Sequence, residues 1–291
     1  MKYSLLSAAL MMSLTATSQA EEVTLQWLGG PTLLVEFGGI RLLTDPMLGE
    51  GEQAYQMIDP NQMFQLSQLP PPVDHKRLTP LPALDLQALD VVLLSHSHED
   101  HFDQVARQEL PKDVALVAAE SDVPLARKLG FDQVTGLSVG KSWSYREGEY
   151  QVTVTAAPAN HTLEQAFSPV LDGGNGYWLN FRHGDWHKSL YWSGDSFFTQ
   201  SVQNWLAAYP APDIFVPHVG RVGTTGPFGQ LSMGAEEVIG AMKALKPAHT
   251  LPIHHSTYAL YLEPISELKR QAEQAGMPLD LPAPGTRISY R

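Results

Sequence analysis

Three histidines and two acids fall within six positions of the stretch SHSHEDHFD, residues 95–103. It follows the apolar run VVLL, which predicts a buried strand directly before it. Residues two apart on a strand point to the same side, so His96 and His98 can grip one metal ion. If the chain then turns toward a helix, Asp100 and His101 can swing toward a second ion. Neutral imidazole and carboxylate are ordinary ligands for zinc, manganese or iron. The chain has no cysteine, so thiolate ligands, a thiolate nucleophile and disulfides are all excluded. The competing view of the motif is a solvated polar turn after a strand.

More ligands are needed to close two sites, and the sequence offers them at the ends of apolar runs. His161 follows VTVTAAPAN, Asp195 follows LYWSG, and His254 follows HTLPI. Taken singly, each is as well explained as a cap or turn residue. Taken together beside HxHxDH, they predict that strand ends present all of them into one cleft. His254 and His255 adjoin, and neighbours on a strand face opposite sides, so they cannot both hold one ion. Arg221 and the glycine-rich loop 220–229 offer charge and backbone amides for an anionic group, with an ordinary turn as the alternative. His75, His183, His187 and His249 read as ordinary surface or cap residues.

The elements that must position these side chains are strand-rich at first. VTLQWLG, TLLVEFGG and IRLLTDP are short runs broken by glycine and proline, as in successive hairpins. Residues 48–82 are irregular and predict an insertion near a site. Beyond the metal motif come a short helix, the strand VALVA, the helix VPLARKLG, and strands at YQVTVTAA, GYWLNF, KSLYWSGD and DIFVPHVG. SMGAEEVIGAMKALKP predicts a helix, with Glu236 and Glu237 favouring its start and Pro247 stopping it. EPISELKRQAEQAG predicts a last, exposed helix. Strands then helix, twice over, predict an α/β (α+β) fold with two mixed sheets packed face to face and helices outside. No linker divides the chain, so residues 21–291 are expected to form one domain.

The bulk composition is that of an ordinary globular protein. Its net charge of −12 argues against nucleic acid as a partner. Residues 1–20 combine Lys2, the apolar run LLSAALMMSL, and small Ser18 and Ala20. These predict a secretory signal cleaved after Ala20, hence a periplasmic or secreted protein. The apolar run is too short to span a bilayer, and no later segment predicts an integral membrane helix.

Over nearly all of residues 21–291 the sequence resembles metallo-β-lactamase-fold hydrolases. WLGGPTLLVEFGGIRLLTDP resembles their opening hairpins, VVLLSHSHEDHFD their metal motif, and APANH, WSGD and LPIHHSTY their later ligand segments. The resemblance implies a four-layer αββα sandwich. It implies one ion on His96, His98 and His161, and a second on Asp100, His101 and His254, with Asp195 bridging both. It also implies that His254 rather than His255 is the ligand. Asp45 is expected behind the ligands, His255 behind them or in packing, and His218 at a strand end facing the cleft, touching substrate or making a structural hydrogen bond. Within the family, the chain is similar to two branches. SMGAEE resembles a helix start in bacterial L-ascorbate-6-phosphate lactonases. DHKRLTPLPALDLQALD resembles the segment before the metal motif in N-acyl-phosphatidylethanolamine-hydrolysing phospholipases D. Those branches place a histidine after the glycine of the opening hairpin, where this chain has Gly30 and Pro31.

These features lead to the expectation of two divalent ions, Zn2+ foremost with Mn2+ or iron as alternatives. Such a pair, about 3.5–4 Å apart, shares one water and lowers its pKa toward neutrality. The bridging hydroxide would then cleave an ester, lactone, amide or phosphoester of a small-molecule substrate, anionic or lipid-like. Asp100 and Asp195 are the expected catalytic carboxylates. The alternatives are a β-lactamase-type antibiotic hydrolase and a non-catalytic metal- or ligand-binding protein.

Overall fold

The strands alternate which side they bury, and that alternation decides how the layers stack. The computed structural model describes residues 21–171 and 173–291, and the expected signal at residues 1–20 lies outside the described residues. The first half contains β1 (Val23–Gly29), β2 (Thr32–Phe37), β3 (Ile40–Thr44), β4 (Tyr55–Met57), β5 (Val73–His75), β6 (Val91–Leu93), β7 (Ala115–Ala119) and β8 (Val134–Leu137). The second half contains β9 (Ser142–Glu147), β10 (Tyr150–Pro158), β11 (Asn175–His183), β12 (Trp186–Trp192), β13 (Ile214–Val216), β14 (His249–Thr250) and β15 (Arg287–Tyr290). The helices are α1 (Gln104–Glu109), α2 (Val123–Lys128), α3 (Ser168–Leu171), α4 (Gln200–Leu206), α5 (Ala235–Leu245) and α6 (Ile265–Ala275).

A seven-stranded sheet runs β15-β1-β2-β3-β6-β7-β8, and a six-stranded sheet runs β14-β13-β12-β11-β10-β9. Both are mixed, because β3, β6, β7 and β8 pair in parallel, as do β12, β13 and β14. Val35, Leu42, Val91 and Leu93 of the first sheet meet Val154, Leu179, Leu190 and Trp192 of the second in one core. Their neighbours Leu34, Leu43 and Val92 point outward to Ala106 of α1 and Ala126 of α2. Tyr191 and Phe215 point outward to Val238 and Met242 of α5 and Leu268 of α6. This is the period-two pattern of strands buried on both faces, and it produces the αββα sandwich that the sequence predicts.

Helix ends follow local chemistry. Asp103 caps α1, its carboxylate accepting the Ala106 N–H at 2.7 Å. At the start of α5 the Glu237 carboxylate accepts the Gly234 N–H at 3.0 Å. Lys246, in the left-handed region, ends α5 just before Pro247.

Several expectations need correction. The 48–82 segment is not wholly irregular, because β4 and β5 form a small antiparallel hairpin of their own. His75 is no surface residue: it is buried in that hairpin, its ring stacked on Tyr55 at 4.6 Å. β8, β9 and β15 were not anticipated. β15 pairs with β1 from the far end of the chain, with Tyr290 opposite Val23. Among the described residues, no helix is long and apolar enough to cross a membrane.

Candidate metal centre

β6 ends two residues before Ser95, and the chain then crosses the sheet edge. His96, His98, Asp100 and His101 are carried on the turn between β6 and α1. The loop after β10 brings His161, the turn after β12 brings Asp195, and the segment after β14 brings His254. All come together at one end of the sandwich. Ligand atoms of His96, His98 and His161 lie within 4.8 Å of one another, and so do those of Asp100, His101 and His254.

Asp195 stands between the two groups. Its Oδ2 lies 3.3 Å from His101 Nε2 and 3.8 Å from His161 Nε2, and its Oδ1 lies 3.8 Å from His254 Nε2. Its position depends on Gly194. A Cβ there would lie 2.9 Å from both the Asn175 carbonyl oxygen and Ser95 Cβ, and φ is +56°. Gly194→Ala is therefore expected to destabilise the protein by about 1–3 kcal/mol and to displace Asp195, measured as lower Tm and lower metal occupancy.

Groups behind the ligands fix which nitrogen each histidine presents. His101 Nδ1 donates to Asp45 Oδ2 at 2.7 Å. His254 Nδ1 donates to the Val219 carbonyl at 2.8 Å, and His161 Nδ1 to the Leu231 carbonyl at 2.8 Å. His96 Nδ1 reaches Ser95 Oγ at 2.9 Å, and that hydroxyl donates to Asp45 Oδ2 at 2.6 Å. Each imidazole thus turns Nε2 into the centre, as second-sphere partners of metal-ligating histidines do. His98 instead turns Nδ1 toward His161 Nε2, 3.3 Å away. That matches the separation of about 3.3 Å expected for two nitrogens on one tetrahedral ion at zinc–nitrogen bond lengths.

The fit to metal is tested by the polar atoms left over. Nε2 of His96, His101 and His254 are buried with no hydrogen-bond partner. Leaving such a group unmade costs about 1–3 kcal/mol each, so three converging on carboxylates call for a cation. Electrostatics agrees. Burial holds His96 well below the usual imidazole range, and it brings His98 and His254 down to about 3. Burial also opposes charge on His101, but Asp195, Asp100 and Asp45 outweigh it and hold its pKa well above the ordinary value. Burial raises Asp195, yet His254, His101 and His218 outweigh it and keep that carboxyl well below its usual range. Burial dominates at Asp100 and raises it.

His101 must lose its proton to accept a metal. Because its metal-free pKa is raised, proton competition persists at neutral pH and strengthens as pH falls. Zinc affinity, measured by competition with a chromophoric chelator, should therefore rise with pH and release protons. A flat profile from about pH 6 to 8 would contradict this.

Asp45 lies directly behind His101. It is fully buried, with φ of +30°, and it accepts from His101, from the Ser95 hydroxyl and, at 2.7 Å, from the Ser95 N–H. His254 also has positive φ, +66°, held by its N–H to the Gly30 carbonyl at 2.8 Å. Strained backbone at two such positions is typical of sites whose geometry matters more than local stability.

At three residues the structure takes the structural alternative. His218 does not face the cleft: it is fully buried, donating from Nδ1 to Asp195 Oδ1 at 2.8 Å and accepting at Nε2 from Trp192 Nε1 at 2.7 Å. The indole can only donate, so this pair fixes the His218 tautomer and aims Asp195. Arg221 is turned aside to Glu263 at 3.4 Å and Gln230 at 3.2 Å, and it lines no part of the pocket over the ligands. His255 orients no ligand. It packs on Trp27 with ring centroids 4.5 Å apart, and its Nε2 meets the Pro252 carbonyl at 3.3 Å. His255→Ala should lower Tm without changing metal stoichiometry.

A pocket of about 160 Å³ opens over His98, Asp100, His161 and Asp195. Its other walls include Met57, Ile58, Leu69, Val222, Phe228 and Leu231, and among the described residues no lysine or arginine lines it. The 48–82 segment, expected near a site, and the 220–229 loop together build this roof. Asn61 clasps them, accepting from Gly223 N–H at 2.7 Å and from the Thr225 hydroxyl at 2.7 Å. Phe228 packs edge-on against Phe64 and Phe167. A wider cleft beside Phe198, Tyr209 and Lys246 carries none of the ligating side chains.

A family model described as "Beta-lactamase superfamily domain" matches residues 41–255, a span that includes His96 through His254. An uncharacterized protein of Mycobacterium tuberculosis is 26% identical over 92% of this chain and 69% of its own length. N-acyl-phosphatidylethanolamine-hydrolyzing phospholipase D 1 of Caenorhabditis elegans is 24% identical over 84% of this chain and 68% of its own length. Among solved structures, an isothiocyanate hydrolase from Delia radicum gut bacteria superposes with a TM-score of 0.73 at 25% identity. It covers 92% of this chain and 99% of the other.

Proposed function

Because the chain belongs to the beta-lactamase superfamily domain family, we propose that it is an exported hydrolase using two divalent ions, Zn2+ foremost, on a small neutral, largely apolar substrate. The observation that carries this is the convergence of seven nitrogen and oxygen ligands beneath an apolar pocket. His96, His98 and His161 would hold one ion, and Asp100, His101 and His254 the other, with Asp195 between them. When bound, divalent ions supply a water that ionises near neutral pH and polarise the scissile oxygen.

The chain's own residues do the rest. Asp195, kept ionised by His254, His101 and His218, fixes the relation of the two half-sites. Asp100, whose carboxyl burial raises, accepts the proton of the attacking water and returns it to the leaving group. Met57, Ile58, Leu69, Val222 and Phe228 exclude bulk water and bury the apolar part of the substrate. With no cationic side chain on these walls, an anionic group away from the ions would find no partner. That favours carboxylic esters, lactones and amides over phosphoesters.

Isothiocyanates are a second substrate class to weigh. The isothiocyanate hydrolase above is similar over nearly the whole chain. Its substrates are small, neutral electrophiles, which an apolar pocket without cationic side chains suits.

The test is turnover of a panel of short-chain esters, lactones, isothiocyanates, nitrocefin and a phosphodiester, before and after chelation and after zinc return. Hydrolysis of a neutral member that is lost with chelator and restored by zinc is the expected result. A protein that takes up no metal on reconstitution contradicts it, and preference for nitrocefin would favour a β-lactamase. Export is tested by fractionating the host and locating the residue after Ala20 as the mature N-terminus.

A further inference from the structure

Position 30 leaves a gap in the expected pattern, and the structure shows what fills the space. Gly30 has φ of +54°, and a Cβ there would lie 3.2 Å from the Tyr261 hydroxyl and 3.0 Å from Tyr258 Cε2. The Gly30 carbonyl accepts the N–H of His254, so this space borders the half-site of Asp100, His101 and His254. The Tyr261 ring lies 4.6 Å from the His254 imidazole, centroid to centroid. Its hydroxyl is buried and has no hydrogen-bond partner. Any larger residue at position 30 would press on that hydroxyl.

An unpartnered buried phenol is unfavourable, and proteins keep such groups where a ligand completes them. Resting on the hydrolase proposal above, we infer that the Tyr261 hydroxyl is a catalytic hydrogen-bond donor at the His254 side of the centre. It donates to the substrate oxygen on which negative charge grows as water adds to the electrophilic carbon. No proton is transferred, because the phenol keeps its hydrogen throughout.

Tyr261→Phe removes only the hydroxyl. Three measurements decide its role: zinc stoichiometry, binding of inorganic phosphate to the zinc-loaded protein by calorimetry, and Tm of the metal-free protein. The expected result is unchanged stoichiometry, phosphate bound about 10-fold more weakly, and a Tm equal to wild type or higher. Turnover of the substrate found above should fall by about 10²–10³. Unchanged phosphate affinity would overturn the inference and assign the hydroxyl to an ordered water. Lost zinc would make Tyr261 a ligand, and a lower metal-free Tm would make it structural; either also overturns it. If wild type binds zinc and phosphate and Tyr261→Phe matches it, only this inference fails. If wild type binds no zinc, the hydrolase proposal fails first, and this one with it.

Discussion

Replacing Asp195 by alanine is expected to abolish hydrolysis and to lower metal stoichiometry, while the protein still folds. Loss of a partner behind a metal ligand typically costs about 10–100-fold, and Asp195 faces both half-sites directly, so its loss should exceed that range. Its oxygens approach His101 and His254 of one group and His161 of the other. Removal leaves His101 without one of the carboxylates that hold its charge, and it frees the Nδ1–H of His218. The variant also separates an enzyme from a non-catalytic binding protein. In a binding protein, affinity for a small ligand in the apolar pocket would survive the substitution with nothing else to lose. Wild-type turnover that persists in Asp195→Ala would remove the carboxylate from the mechanism altogether.

The second large effect is at Asp45, which touches neither pocket nor proposed ion. Asp45→Ala strands three donors in a fully buried place: His101 Nδ1, the Ser95 hydroxyl and the Ser95 N–H. Breaking a buried charged pair from one side costs about 3–5 kcal/mol, roughly a 10 °C fall in Tm for a chain of this size. Zinc affinity should fall by about 10–100-fold, because His101 and His96 lose the chain of bonds that aims Nε2 inward. Calorimetry on the metal-free and zinc-loaded forms measures both. An unchanged melting temperature would mean that Asp45 does not anchor these groups.

What was legible in the sequence tracks how local the cause is. HxHxDH after an apolar run is a contiguous pattern, legible without any distant partner, although His96 and His98 sit on the turn after β6 rather than on the strand itself. The two-sheet sandwich was legible because VVLL, LYW and IFV are apolar on both faces, as strands between two layers must be. His218 was misplaced because its role depends on Trp192, 26 residues away, whose buried N–H needs an acceptor. Nothing in FVPHVG announces that partner. Arg221 looked like an anion binder, but its pairing with Glu263 spans 42 residues and is set by how α5 packs. His254 and His255 lie beyond β14 rather than on a strand, and His255's packing on Trp27 depends on the distant opening hairpin. β4, β5 and β15 are too short for periodicity to register. Their pairing is fixed by register with strands elsewhere, Tyr55 with His75 and Val23 with Tyr290. Tyr261 was not singled out, because a tyrosine's importance here lies in an empty position 231 residues earlier, at Gly30.

The most direct test of the two-ion centre is anomalous diffraction from crystals of the zinc-loaded protein. Two peaks are predicted, one enclosed by His96, His98 and His161 and the other by Asp100, His101 and His254, with Asp195 reaching both. A single peak, or an ion held by His255 or His218, would contradict it.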